Sequence, residues 1–143
     1  MILIGADHAG WELKEKLKTY LIKCNYDIVD VGAYEFDEED DFSKFVANLK
    51  LAFDNGKDTR IIAICGSGVG MCIGLNKIKG VRCAVGHTEK EIELAREHND
   101  INALALGSRT TSLIKAKKMI EKFLKTKSIG GKYKRRMDEI ELK

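Results

Sequence analysis

The sequence predicts an α/β fold, one parallel sheet with helices on both faces. Five short apolar runs, 2–6, 27–31, 61–65, 81–85 and 101–106, mostly lack polar alternation, as strands covered on both sides do. Longer stretches with apolar residues at helical spacing separate them. The polar, chemically able residues fall just after the runs, where an open parallel sheet places its ligand edge. A β-α repeat of this kind implies right-handed crossovers.

Taken in order, the first run, Ile2 to Ala6, hands over to Asp7-His8. Leu13, Leu17, Tyr20, Leu21 and Cys24 then form one helical stripe. The second run ends near Gly32, and the acidic stretch 37–41 reads as a solvated loop, with Asp41-Phe42 at the rim of the ligand edge. A second stripe follows, Phe42, Phe45, Val46, Leu49, Ala52 and Phe53, whose aromatic members are expected in the core. The third run ends at Cys65, and glycines at 66, 68 and 70 open a short helix. The fourth ends at Gly86-His87, after which Thr88 and Glu91 stand at capping-box spacing. The fifth leads into Gly107-Ser108-Arg109 and a stripe of Ala116, Met119, Ile120 and Phe123. A last helix, about 134–142, follows Gly130-Gly131 and is expected to pack away from the body. Residues 1–143 read as a single domain without internal repeats.

Composition narrows the partners. With 44% hydrophobic residues among 143, the chain can fill a core. A net charge of +3 is too mild to point to nucleic acid, and the basic run 132–136 lacks aromatic interleaving. No apolar run approaches the roughly 18 residues of a membrane span. Cys24, Cys65, Cys72 and Cys83 show no paired spacing and read as reduced thiols of a cytoplasmic protein without a signal peptide. His8, His87 and His98 are scattered and no Cys or His pair has ligand spacing, so a metal site is not expected.

The stretch from Ile61 to Gly70 carries the sharpest chemistry. A buried strand runs into Cys65, and the amides of Gly66, Gly68 and Gly70 are placed to bind an anion or a developing oxyanion. A thiol at a helix N-terminus sits in a field that favours its anionic form. The turn is not a dinucleotide fingerprint, since Met71 stands where the third glycine belongs, and it lacks the Gly-Lys-Ser/Thr of a phosphate-binding loop. By itself it also fits a tight strand-to-helix turn around an inert cysteine. Asp7-His8 reads either as a helix cap or as a pair in which His8 donates to a phosphate or sugar hydroxyl. His98, near a helix end, is either a dipole partner or a proton shuttle near neutral pH. Arg109 and Arg136 either face solvent or grip a phosphate through the guanidinium fork.

Assembled, these stretches resemble the ribose/galactose isomerase family, which includes type B ribose-5-phosphate isomerases and galactose-6-phosphate isomerases. The matching residues are Asp7 to Gly10, Ile64 to Gly70, Asn76-Lys77, Glu97 to Asp100, Leu106 to Arg109 and Gly130-Gly131. The resemblance implies a Rossmann-like three-layer α/β/α sandwich with a five-stranded parallel sheet. It also implies a homodimer, at times paired into a tetramer, whose C-terminal helix reaches a second subunit and whose active site lies between subunits.

The implied activity interconverts ribose 5-phosphate and ribulose 5-phosphate in the non-oxidative pentose phosphate pathway, without metal or organic cofactor. Cys65 is then the base, supported by Ser67, and the amides of Gly66, Gly68 and Gly70 stabilise the enediolate. Asp7 contacts the sugar, His98 opens the furanose ring and Asn99 binds hydroxyls. His8, Arg109, Lys132 and Arg136 hold the phosphate. Phe42, Ser67, Lys132 and Tyr133 stand where the family often has tyrosine, threonine, arginine and histidine. The alternatives are the same chemistry on galactose or allose 6-phosphate, and a non-catalytic phosphate or nucleotide sensor.

Overall fold

The computed structural model describes residues 1–143. Five parallel strands, β1 (Ile2–Ala6), β2 (Ile28–Asp30), β3 (Arg60–Cys65), β4 (Cys83–Val85) and β5 (Ala103–Gly107), form one sheet in the order β2-β1-β3-β5-β4. The helices are α1 (Trp11–Lys23), α2 (Phe42–Ala52), α3 (Val69–Leu75), α4 (Glu89–Asn99), α5 (Leu113–Lys125) and α6 (Lys132–Ile140).

Strand pleating sorts the core into two layers. Ile2, Ile4, Ile62, Ile64, Leu104 and Leu106 pack beneath α1, α4 and α5, against residues such as Leu17, Ile92 and Phe123. Leu3, Ile61, Ala63, Cys65, Ala103 and Ala105 face the other side, against Phe45 and Leu49 of α2 and Met71 and Leu75 of α3. The expected sandwich is therefore present. The two edge strands, β2 and β4, are each three residues long, shorter than their apolar runs, because each has only one neighbour to bond.

The helical stripes hold with local corrections. Cys24 ends α1 as its C-cap and is exposed, and Phe42, the first residue of α2, is 40% exposed. The Thr88 side chain accepts from the Glu91 amide and caps α4. α6 starts at Lys132, two residues early, because Gly131 supplies the positive φ that turns the chain into it. It does not leave the body, since it lies against α4 of the same chain.

Lys14 lies on the buried side of α1 with no exposed surface, a position the apolar stripe does not announce. Its ammonium donates to Asp30 at 2.7 Å and Glu15 at 2.9 Å, so the buried charge is paired. Burial pushes the Asp30 carboxyl up, but hydrogen bonds from Lys14 and Lys18 outweigh it and hold the group below the ordinary carboxylate value.

Candidate functional site

The chain reverses its direction of travel across the sheet between β1, which pairs with β2, and β3. Ligands of open α/β sheets bind beyond the strand carboxyl ends at such a switch point. Asp7-His8 leaves β1 there, Cys65 ends β3, and Ser108-Arg109 leaves the neighbouring β5. His87 follows the far edge strand β4 and lies outside the crevice.

Cys65 points into the α2/α3 layer with 5% of its surface exposed. The amide N–H of Gly68 donates to its Sγ at 3.2 Å, a contact that stabilises negative charge on the sulfur. Gly68 holds φ +79°, and a Cβ there would stand 3.0 Å from the Leu106 carbonyl carbon. Only glycine makes this turn without strain. Ser67 is exposed and accepts from the Val69 amide at 3.2 Å, leaving its hydroxyl proton free to be donated.

The turn after β5 is tied to this one. Ser108 N–H donates to the Cys65 carbonyl at 2.9 Å and Arg109 N–H to the Gly66 carbonyl at 3.1 Å. The Arg109 guanidinium lies over Gly66, where a Cβ would sit 3.0 Å from its Cζ. Gly70 is covered by the Phe42 ring, a packing reason for a glycine that the sequence assigns to anion binding.

Asp7 is buried and its Oδ1 accepts from the Gly10 amide at 3.1 Å, closing the turn into α1. His8 borders a cleft of about 530 Å³ lined also by Trp11, Glu12, Phe36, Ser108 and Arg109. The Phe36 ring stands edge-on to both His8 and Trp11, with centroids 6.4 and 6.3 Å away. Behind His8 stands Asp40, from the acidic stretch expected to be solvated. Its Oδ1 takes hydrogen bonds from the His8 amide at 2.9 Å and pairs with His8 Nδ1 at 2.8 Å. The bond from Asp40 raises the His8 pKa above its ordinary 6.5, burial opposes it, and Asp7 adds to the rise. Asp7, His8 and Asp40 bring a ring nitrogen and two carboxylate oxygens within 4.8 Å of one another.

The remaining predicted residues lie elsewhere. α4 leaves the carboxyl end of β4 and returns to the start of β5, so its C-terminus is at the opposite edge of the sheet. The length of β5, about 13 Å at 3.3 Å per residue, separates the two edges. At that far edge His98 stacks on Tyr133 of α6, with centroids 4.4 Å apart and planes at 11°. The Lys132 ammonium and Arg136 guanidinium lie 5.3 and 5.8 Å from the same ring. Asn99 reaches Met137 Sδ at 3.5 Å. It also lines a second, more apolar cavity of about 430 Å³ with Val81, Cys83, Ile140 and Leu142.

Near this edge the Cys72 thiol lies beside Cys83, donating to its carbonyl at 3.4 Å and accepting from the Asn76 side-chain amide at 3.5 Å. That thiol is drawn down to about 7 by the hydrogen bond from Cys83 and, against its burial, by the Asn76 amide, while Cys83 is pushed up. One chain thus assembles Cys65, Ser67, Asp7, His8 and Arg109 at one edge, and His98, Asn99, Lys132 and Arg136 at the other.

The sequence placed Ser108 at this edge beside Arg109 without giving it a role, and it did not mark Asp40, Phe36 or Trp11 as members of the first group. Asp40 is thirty-two residues from its partner His8, and no local pattern marks the pairing.

A ligand edge with these donors belongs to an α/β enzyme that moves protons on small anionic molecules. Within that class, the chain belongs to the ribose/galactose isomerase family, whose family model matches residues 2–140. A probable ribose-5-phosphate isomerase B of Mycoplasma genitalium is 39% identical, the match covering 97% of this chain and 92% of the relative. Ribose-5-phosphate isomerase B of Escherichia coli is 34% identical, with 97% and 93% covered. Among solved structures, the ribose-5-phosphate isomerase B of Clostridium thermocellum superposes with a TM-score of 0.91 at 37% identity, covering 97% of this chain and 93% of that one. The Mycoplasma genitalium enzyme, solved with bound ribulose-5-phosphate, gives 0.89 at 36% identity, with 97% and 92% covered.

Proposed function

We propose that this chain is an aldose–ketose isomerase that interconverts D-ribose 5-phosphate and D-ribulose 5-phosphate through a cis-enediolate. The observation that carries the reading is the convergence of Cys65, its amide-rich turn, Asp7, His8 and Arg109 at the switch point. The family membership and the relative solved with ribulose-5-phosphate support the substrate class.

In the forward direction the Cys65 thiolate takes the proton from C2 of the open-chain aldose, and the carbonyl oxygen at C1 becomes an enediolate oxygen. Amides of the Gly66 to Gly70 turn other than those of Gly68 and Val69, which are bonded to Cys65 Sγ and Ser67 Oγ, hold that charge where it forms, and this lowers the barrier to losing a proton α to a carbonyl. The sulfur returns the proton to C1 and is again a thiolate, while the proton of the C2 hydroxyl passes to the enediolate oxygen on C1, leaving a C1 hydroxyl and a C2 ketone. Ser67 donates to the reacting oxygens and Asp7 orients the hydroxyls. His8 and Arg109 anchor the phosphate, and that remote binding energy positions C2 over the sulfur.

His98, Asn99, Lys132 and Arg136 complete the site from a second copy of the chain. In a twofold dimer the far edge of one copy meets the Cys65 edge of the other. Val69 and Ile73, one turn apart on α3, are 50% and 58% exposed, and they form an apolar strip running between the two edges that such an arrangement covers. The partner's His98 then protonates the ring oxygen as the furanose opens, and the partner's Lys132 and Arg136 close on the phosphate.

The direct test follows ketose formation from a panel of five- and six-carbon sugar phosphates, together with exchange at C2 in deuterated water. Ribose 5-phosphate is expected to turn over fastest. Cys65→Ala is expected to bind the sugar phosphate but to lose about 10³-fold in kcat and in exchange. Turnover of a hexose phosphate without ribose 5-phosphate would move the assignment to the six-carbon branch. Full activity of Cys65→Ala would remove the mechanism.

A further inference from the structure

The acidic stretch before α2 contributes one side chain that is not solvated. The Asp40 side chain is 4% exposed, against 31% for its partner His8. One carboxylate oxygen serves both the His8 amide and its Nδ1, while the other, Oδ2, is buried without a hydrogen-bond partner. A carboxylate removed from water to that degree keeps its charge only beside a cation or several hydrogen-bond donors, and here the donors are the His8 amide and ring. Lys44 lines the same small cavity as Asp40 but is directed over the Phe45 ring, 5.8 Å from its centroid, and forms no ion pair with Asp40. The imidazolium of His8 is therefore the cation that balances it.

We propose that Asp40 is a positioning residue that acts through His8, taking the Nδ1–H so that the ring presents Nε2–H, as an imidazolium, to the phosphate of the substrate. The inference rests on the isomerase reading for the identity of the anion. A neutral ring with its only proton on Nδ1 would aim the Nε2 lone pair at a phosphate and repel it. With Asp40 ionised, the protonated form persists above the ordinary imidazole range, in agreement with the raised pKa of His8. The other charged groups around the ring are Asp7, beside it in sequence, and Glu12 and Arg109 across the cleft. Asp7 reinforces the cation, and a phosphate in the cleft would lie between His8 and Arg109. No other buried carboxylate contacts a predicted substrate-binding group in this way.

The test uses the intact protein and two readouts. In ¹⁵N-labelled protein, Asp40→Asn is expected to lower the pH at which the His8 ring titrates, because asparagine keeps an acceptor oxygen but not the charge. In steady-state assays with ribose 5-phosphate, Asp40→Asn is expected to raise KM about tenfold near pH 8 and less than about twofold near pH 5.5, with kcat within about threefold. Asp40→Glu is expected to recover part of the affinity. Adding Asp40→Asn to His8→Gln is expected to change KM less than about twofold, since the effect travels through the ring.

An unchanged His8 titration, a KM rise independent of pH, or an equal loss in the His8→Gln background would overturn the inference. Should Asp40→Asn fail to fold, the wild-type protein still decides, because its KM must rise as the His8 ring loses its proton. Absence of wild-type turnover would reject the substrate assignment alone, while the ring titration would still judge Asp40.

Discussion

Cys65 is held from three directions, by the β3 ladder, by the Gly68 amide on its sulfur and by the β5 turn bonded to its carbonyl. This was legible in the sequence because a strand, a cysteine and three spaced glycines are neighbours along the chain. The roles of the glycines were less legible. Gly66 leaves room for Arg109, Gly68 makes the left-handed turn, and Gly70 accommodates Phe42. Gly68→Ala is therefore expected to lower stability by about 2 kcal/mol in chemical denaturation, from strain at positive φ and contact with Leu106. Arg109→Ala removes a charge-assisted contact to the phosphate and is expected to raise KM about tenfold or more, with a smaller change in kcat. The Asp40–His8 pair was invisible because its two halves come from different loops, and a run of acidic residues ordinarily faces water.

At the scale of elements, period and spacing revealed all five strands and the helix order, because two-sided burial leaves β1, β3 and β5 as nearly unbroken apolar runs and the helical stripes between them bracket β2 and β4. They did not reveal the shortness of β2 and β4, which follows from sheet position. Nor did they reveal Lys14, which breaks the apolar face of α1 and is tolerated only because Asp30 and Glu15 meet it. Asp30→Asn leaves that buried ammonium with a single carboxylate and is expected to cost about 3 kcal/mol in urea unfolding. The pH dependence has a definite sign. The pKa of Asp30 is lower folded than unfolded. Its contribution is thus complete above the unfolded value of about 4 and is lost as pH falls through the folded one. Wild-type stability should drop below about pH 4 more steeply than that of Asp30→Asn.

At the scale of the molecule, the predicted site residues fall into two groups at opposite edges of one sheet, the second gathered around Tyr133. Motif order along the chain could not reveal this division, because a helix that returns antiparallel to its strand carries its last residues to the other edge. The shared-site proposal gives both groups one purpose. His98→Asn is accordingly expected to slow turnover of the cyclic sugar more than that of an open-chain analogue, compared by kcat/KM on the two substrates.

The most direct test mixes two impaired variants, Cys65→Ala and His98→Asn, in equal amounts, exchanges their subunits under mild denaturant and assays isomerisation of cyclic ribose 5-phosphate above the residual rate of each variant alone. Half the dimers are then mixed, and each mixed dimer holds one site with both Cys65 and His98. Activity is expected to return to about one quarter of wild type. If subunit exchange is demonstrated and no activity returns, the two edges do not meet across copies and the account of the site is contradicted.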